Sequence, residues 1–414
     1  MRVGAGLLVR RIGRTLVPAA LAIASFLVML AVAASPAAAA RGAKEFAPTL
    51  APAERKLFEE WLSAQATNDF ALGAYWREVE DKRAQRKRKK AAELPLKESD
   101  YVMSFPPVYR GPELTPDLAK RWAAFTAEME AAKPPEQKPG VEDFLAHAKA
   151  LFDFVPERIP EREFKLRYAR EAVALGLTKD QVVRIYALET SGLGTADMVA
   201  GIHPIKRTGT PISTAIGYAQ LLAANSVGEL ARSGSAFAER LRRMASSASI
   251  GFERAAELHA KLIALNRMIA VAKSVPDKWD SHVAYARTAK GLGIHAVNLD
   301  GDIGPWLQVI KLRGLKELAD RKGFGQLSGN QIELMNLAGP ATGLEMMRPV
   351  AQNVPTPNFF ERQAYARNTI VRGKTAAELL AALDQRMNDN IANAGAIEFA
   401  EVFDQVAAES QAAR

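Results

Sequence analysis

Thr178-Lys179-Asp180-Gln181-Val182-Val183-Arg184-Ile185-Tyr186-Ala187-Leu188-Glu189-Thr190-Ser191 carries the helical period of this chain in its clearest form. Thr178 is an N-cap residue ahead of an acidic first turn. Val182, Ile185 and Tyr186 recur at helical spacing and mark the apolar stripe. Seven positions after Val182 the same stripe reaches Glu189, in the last turn. A carboxylate there faces the interior at the negative end of the helix dipole. Burial and the dipole both disfavour the ionised form and raise the pKa, as a general acid working near neutrality requires. The loop Ser191-Gly192-Leu193-Gly194 follows at once and leaves open space beside the carboxyl group. The competing reading is a structural glutamate paired with Arg184 or Arg207.

Outward from this stretch the chain reads as helix after helix, with no convincing strand alternation. The pattern predicts helices over 51–67, 115–132, 141–154, 161–175, 179–190, 213–226 with Ser213 as N-cap, 229–248, 251–274, 279–290, 307–322, 329–338, 357–372, 375–388 and 390–411. The predicted class is all-α, packed around a shared core. Residues 191–212, with four glycines and two prolines, read as a long loop, and 91–114 as irregular. Lys133–Gly140, with three prolines, is the clearest linker. The predicted units are therefore an N-terminal helical region at 41–132, the linker at 133–140, a main domain at 141–372 and C-terminal helices at 373–414. Met335, Met346 and Met347 read as packing, and Asp300-Gly301-Asp302 as a turn, because the ligand series of a calcium loop is absent.

The 414 residues are 48% apolar and 24% charged, a globular composition with two or three folding units. There is no cysteine, which excludes disulfides, a thiol nucleophile, iron–sulfur clusters and Cys-based zinc sites. The five histidines include no pair three or four residues apart, so no helical metal-binding pair exists.

Residues 1–40 join Arg2, Arg10, Arg11 and Arg14 to an apolar stretch and to Ser35-Pro36-Ala37-Ala38-Ala39-Ala40, the secretory pattern. The expected location is periplasmic after a cut behind Ala40. An uncleaved segment would instead be an anchor, giving membrane association through the N-terminus. Without residues 1–40 the net charge of +9 becomes +5 over 374 residues. Much of the remainder is one run, Lys82-Arg83-Ala84-Gln85-Arg86-Lys87-Arg88-Lys89-Lys90. No nucleic-acid partner is expected for an exported protein. The run reads as a solvated helix face ending in a flexible linker, with contact to anionic lipid or wall polymer as the functional alternative.

Ile185–Ser191 resembles the catalytic segment of the soluble lytic transglycosylases, the goose-lysozyme-like enzymes that cleave peptidoglycan, with Thr190 where that family usually has serine. Three further motifs follow in family order. Gly217-Tyr218-Ala219-Gln220 resembles Gly-x-x-Gln. Met335-Asn336-Leu337-Ala338-Gly339-Pro340 resembles Tyr-Asn-Ala-Gly-Pro, with Met335 for the tyrosine and one extra residue. Pro357–Tyr365 resembles the proline, Glu-Thr-x-x-Tyr segment. Glu189 and Gly217 lie 28 positions apart, so 191–212 looks like an insertion.

The resemblance implies a lysozyme-like domain and a single acid, Glu189, acting on peptidoglycan glycan strands without metal or cofactor. It implies that Thr190, Ser191 and Tyr218 contact substrate and that Gly217 allows close backbone approach. By the same analogy Gln220 and Asn336 position the glutamate or the sugar N-acetyl group, and Tyr365 lines the cleft or contacts Glu189. Tyr186, Tyr218 and Trp306 could stack on sugars or belong to the core. Two other classes stay open: a non-catalytic peptidoglycan-binding or scaffold protein of the same fold, and a helical envelope protein without sugar contact.

Overall fold

The computed structural model describes residues 42–131 and 137–412. The stretch read as a secretory segment and part of the expected linker lie outside them. The described residues are helical, with only four isolated bridges and no strand. None of the described helices is long and apolar enough to cross a membrane.

The N-terminal region is a helical hairpin. Helix α1 (Pro52–Ala91) runs for 40 residues, about 60 Å. Helix α2 (Pro116–Ala131) returns along its first half, and Thr115 Oγ1 accepts from the Leu118 N–H at 3.4 Å as its cap. Phe46, Phe58 and Leu118 are buried between them, with Trp61, Trp122 and Phe125 packed alongside. Phe58 meets Trp122 at 5.1 Å between ring centres.

The basic run is neither a free face nor the start of a linker. It is the last two turns of α1, and its register sorts the cations. Arg83, Arg86 and Lys90 reach the main body, Lys82 and Lys89 bond the Ser99–Asp100 segment, and Lys87 and Arg88 are exposed. Arg86 is 2% exposed. Its guanidinium bonds Glu345 Oε1 at 2.9 Å, Asp100 O at 3.0 Å and Asn358 O at 2.6 Å, and lies over the Tyr101 ring. Arg83 pairs with Glu361, Lys89 with Asp100 and Lys90 with Glu345. Four of the seven cations are thus paired within the protein, while Lys87 and Arg88 stay exposed.

The main body contains α3 (Val141–Phe152), α4 (Glu161–Ala174), α5 (Lys179–Thr190), α6 (Ala223–Ala245), α7 (Phe252–Lys273), α8 (Trp279–Ala286), α9 (Ala289–His295), α10 (Gly304–Arg321), α11 (Gly329–Ala338), α12 (Pro340–Met346), α13 (Arg362–Arg367), α14 (Ala376–Asn390) and α15 (Ala394–Ala412). One apolar core gathers Tyr168, Ile185, Tyr186, Leu312, Met335, Leu379 and Phe399. A second gathers Phe144, Leu230, Phe237, Leu265, Ile294 and Leu307. Helix α10 spans both, giving Leu307 to one and Leu312 to the other. The helices past residue 372 supply part of the first core and so belong to the body. Met335 and Met346 are core residues, and the Asp300 carboxylate closes its turn by accepting from the Asp302 and Ile303 N–H groups.

Two helix readings fail. No helix forms over 213–222, and α6 starts only at Ala223. Ser213 closes a local turn onto the Ala215 N–H at 3.2 Å, and Gly217 and Gln220 take positive φ angles of 76° and 41°. Ile216 and Leu221 bond each other across a tight turn. Over 357–372 only Arg362–Arg367 is α-helical, after a short 3-10 turn at Thr356–Asn358.

Candidate active site

Helix α5 sets the site. Thr178 Oγ1 accepts from the Gln181 N–H while Gln181 Oε1 accepts from the Thr178 N–H, a closed capping box. At the other end Ser191 and Gly192 turn left-handed, with φ of 54° and 63°. The freed carbonyls are met from the α14–α15 junction: Asn390 Nδ2 donates to Ala187 O at 3.0 Å and Asn393 Nδ2 to Ser191 O at 2.9 Å. The turn that carries Glu189 is thus tied at both backbone ends.

Asn336, on α11, donates from Nδ2 to Glu189 Oε1 at 3.2 Å. The same nitrogen lies 3.2 and 3.3 Å from the two carboxyl oxygens of Glu333, one turn earlier on α11. Lys311 Nζ, from α10, donates to Asn336 Oδ1. Glu333 is 3% exposed, whereas Glu189, Asn336 and Lys311 each keep part of their surface open.

Burial pushes the Glu189 carboxyl up to about 7, against a hydrogen bond from Glu333, the Lys311 charge and the Asn336 bond, which favour the ionised form. Glu333 rises further, through burial and the neighbouring Glu189 charge. The Lys311 ammonium is pushed down by burial, opposed by Glu333, Glu189 and Glu229. A carboxyl group of this kind is half protonated near neutrality and can give a proton and take one back.

Among the described residues no arginine holds Glu189. Arg184 bonds Asp384 and Asn388, and Arg207 bonds Asp197. Two surface concavities of about 370 and 380 Å³ lie elsewhere, lined respectively by Ser274–Thr288 residues and by Met346, Met347 and Leu380 among others.

Of the other residues expected at the site, only Asn336 reaches Glu189. Thr190 is buried, its hydroxyl turned back to Tyr186 O at 2.6 Å. Ser191 forms the left-handed turn. Gly217 is buried, and a Cβ there would lie 2.6 Å from Gln308 Nε2. Gln220 donates from Nε2 to Gly217 O at 2.9 Å and to Met198 O at 3.2 Å, shaping the loop.

Tyr218 corrects the expectation of a sugar contact. It is 1% exposed, its hydroxyl bonds the Glu161 carboxylate, and its ring sits among Tyr186, Tyr168, Phe164 and Phe399. Tyr186 is equally buried, and Trp306 packs on Phe237 at 4.1 Å. Tyr365 packs on Trp76 of α1 at 5.6 Å and accepts from the Gly373 N–H at 3.1 Å, at the interface with the arm.

Sequence reading missed Glu333 and Lys311. The available signal for Glu333 was an acid inside the apolar run Ile332-Glu333-Leu334-Met335. Lys311 carries no such signal, since its meaning comes from α11 packing beside α10. No protein-family model, no curated protein and no solved structure matches this chain.

Proposed function

We propose that this protein is a lytic transglycosylase with a lysozyme-like domain, cleaving the bond between N-acetylmuramic acid and N-acetylglucosamine in peptidoglycan. The observation that carries the reading is the Glu189 carboxyl, poised at about 7 in the last turn of α5 and held by the Asn336 amide. The order of the four sequence motifs adds to it.

In the proposed reaction protonated Glu189 gives its proton to the glycosidic oxygen as that bond breaks. The substrate's own N-acetyl group meets the positive charge developing at the anomeric carbon. The Glu189 carboxylate then takes the proton of the C6 hydroxyl, whose oxygen closes the 1,6-anhydro ring. One carboxyl group serves both halves, so no metal or cofactor is required by the scheme. In the proposed setting the protein is exported to the periplasm and meets glycan strands there.

One observation favours the non-catalytic alternative, a wall-binding or scaffold protein of the same fold: Gln220 spends its amide on the loop. Digestion of purified sacculi by the protein lacking residues 1–40 separates the readings, with mass spectrometry of the released muropeptides. Anhydro-muropeptides from the parent and none from Glu189→Gln support the enzyme. Reducing-end products would mean hydrolysis, and co-sedimentation without release would move the function to wall binding. For the enzyme, activity falls as pH rises through about 7, where Glu189 loses the proton it must give.

A further inference from the structure

Glu189 does not stand alone. One amide nitrogen, Asn336 Nδ2, lies within 3.3 Å of oxygens from both Glu189 and Glu333. It carries two N–H bonds and can serve both carboxyl groups at once. Lys311 decides which edge of the amide faces them. Its ammonium can only donate, so it takes Asn336 Oδ1 and turns the NH2 group toward the carboxyls. Both carboxyl groups thus lie against one nitrogen, side by side. Two ionised carboxylates this close repel each other, so one of them holds a proton.

The charges around the pair agree. Lys311 from α10 faces both carboxyls, and Glu229 from α6 faces Lys311 while bonding Arg232. The charged groups of α14 and α15 toward α5 are spoken for: Asp384 by Arg184 and Asp404 by Lys179. A single cation thus balances one net negative charge on the pair, and a second would be uncompensated.

We propose that Glu333 is a positioning residue for Glu189: the two carboxyl groups hold one proton between them, over an amide that Lys311 orients. The proposal rests on the reading of Glu189 as the acid. It also deepens it. Glycosidases with two working carboxylates keep them about 5 Å or more apart, so that a sugar ring fits between. Groups that share one amide nitrogen have the Asn336 amide, not a sugar ring, against both of them. Glu333 therefore cannot be an opposing nucleophile, and the pair is a single acid with a built-in donor to its conjugate base.

The test is a titration that needs no turnover. Protein labelled with 13C at the glutamate side-chain carboxyl carbons is titrated by NMR, comparing wild type with Glu189→Gln and Glu333→Gln. The wild type is expected to show two interacting steps. Glu189→Gln lowers the Glu333 midpoint, because its neighbour no longer carries charge. An unchanged Glu333 midpoint in that variant overturns the proposal.

A second readout is the pH profile of sacculus solubilisation. Glu333→Leu removes the donor and moves the alkaline limb up by about one to two pH units, the worth of one charge-assisted hydrogen bond. Glu333→Gln keeps a donor and restores the limb close to its wild-type position. Equal profiles for the Leu and Gln variants overturn the proposal. Coupled titration without any lytic activity would sink the transglycosylase reading while leaving the proton-sharing pair in place.

Discussion

A carboxyl group kept from ionising costs stability wherever the pH would ionise it in the unfolded chain. Glu189 rises from about 4.5 when unfolded to about 7 in the fold. Its contribution is complete below the unfolded value and is lost as pH rises through 7, roughly 3 kcal/mol in all. His295 runs the other way. Buried and bonded to Ser226 and Thr214, it falls to about 4, so its contribution is complete above its usual value and is lost as pH drops. The two oppose each other between about pH 4.5 and 6.5, and above that range His295 no longer offsets the carboxyls. Calorimetric melting temperatures should therefore fall from pH 6.5 to 8. The fall should be shallower in Glu189→Gln, and an equal slope in the two proteins would remove Glu189 as its cause. Helical spacing alone was enough to find Glu189, since Val182 and the seven-residue step need only the local chain. Glu333 was not legible that way, because its burial depends on which face of α11 meets α5 and α10.

At the level of the element, the end of α5 and the 191–222 loop are where pattern and structure part. The segment 213–226 has the apolar spacing of a helix, yet its glycine takes φ of 76° against Gln308. The Ile216–Leu221 pairing and the Gln220 bonds to Gly217 O and Met198 O are tertiary facts that outweigh local propensity. Gly217→Ala should lower stability by about 2 kcal/mol, from positive-φ strain and the clash with the Gln308 amide. Urea midpoints measure this, and a midpoint equal to wild type would mean that the turn is slack. The cap on α5 is a separate element. Asn393→Ala strips a donor from Ser191 O and should cost about 1 kcal/mol in the same assay. It should also lower any lytic rate several-fold by loosening the turn behind Glu189. A stability loss with an unchanged rate would show that this turn need not be rigid.

Over the whole molecule the decisive joint is between α1 and the segment around Asn358. Asn358 accepts from the Val102 N–H at 2.9 Å and donates to Val102 O at 2.8 Å. Arg86 lies beside this pair, with Glu345 buried against it. Arg86→Met keeps the stem but leaves the Glu345 carboxylate with only Lys90 and the Tyr101 hydroxyl, and should cost about 3 kcal/mol. Limited proteolysis should then cut within residues 92–115 while the body survives. Uniform degradation of both parts would mean that arm and body unfold as one. The helices were legible because their period is local. The docking was not, because a run of nine residues with seven cations reads as solvated until the partners of Arg83, Arg86 and Lys90, more than 250 residues away, are known.

The clamp of Asn358 on Val102 joins positions 256 residues apart. A ribosome builds the chain from its N-terminus at roughly 5–20 residues per second. The arm therefore waits tens of seconds for the segment that receives it, with Arg86 and its neighbours still in water. Docking is a closing event of biogenesis, and any factor that accompanies the nascent chain meets Arg83, Arg86, Lys89 and Lys90 before their partners cover them.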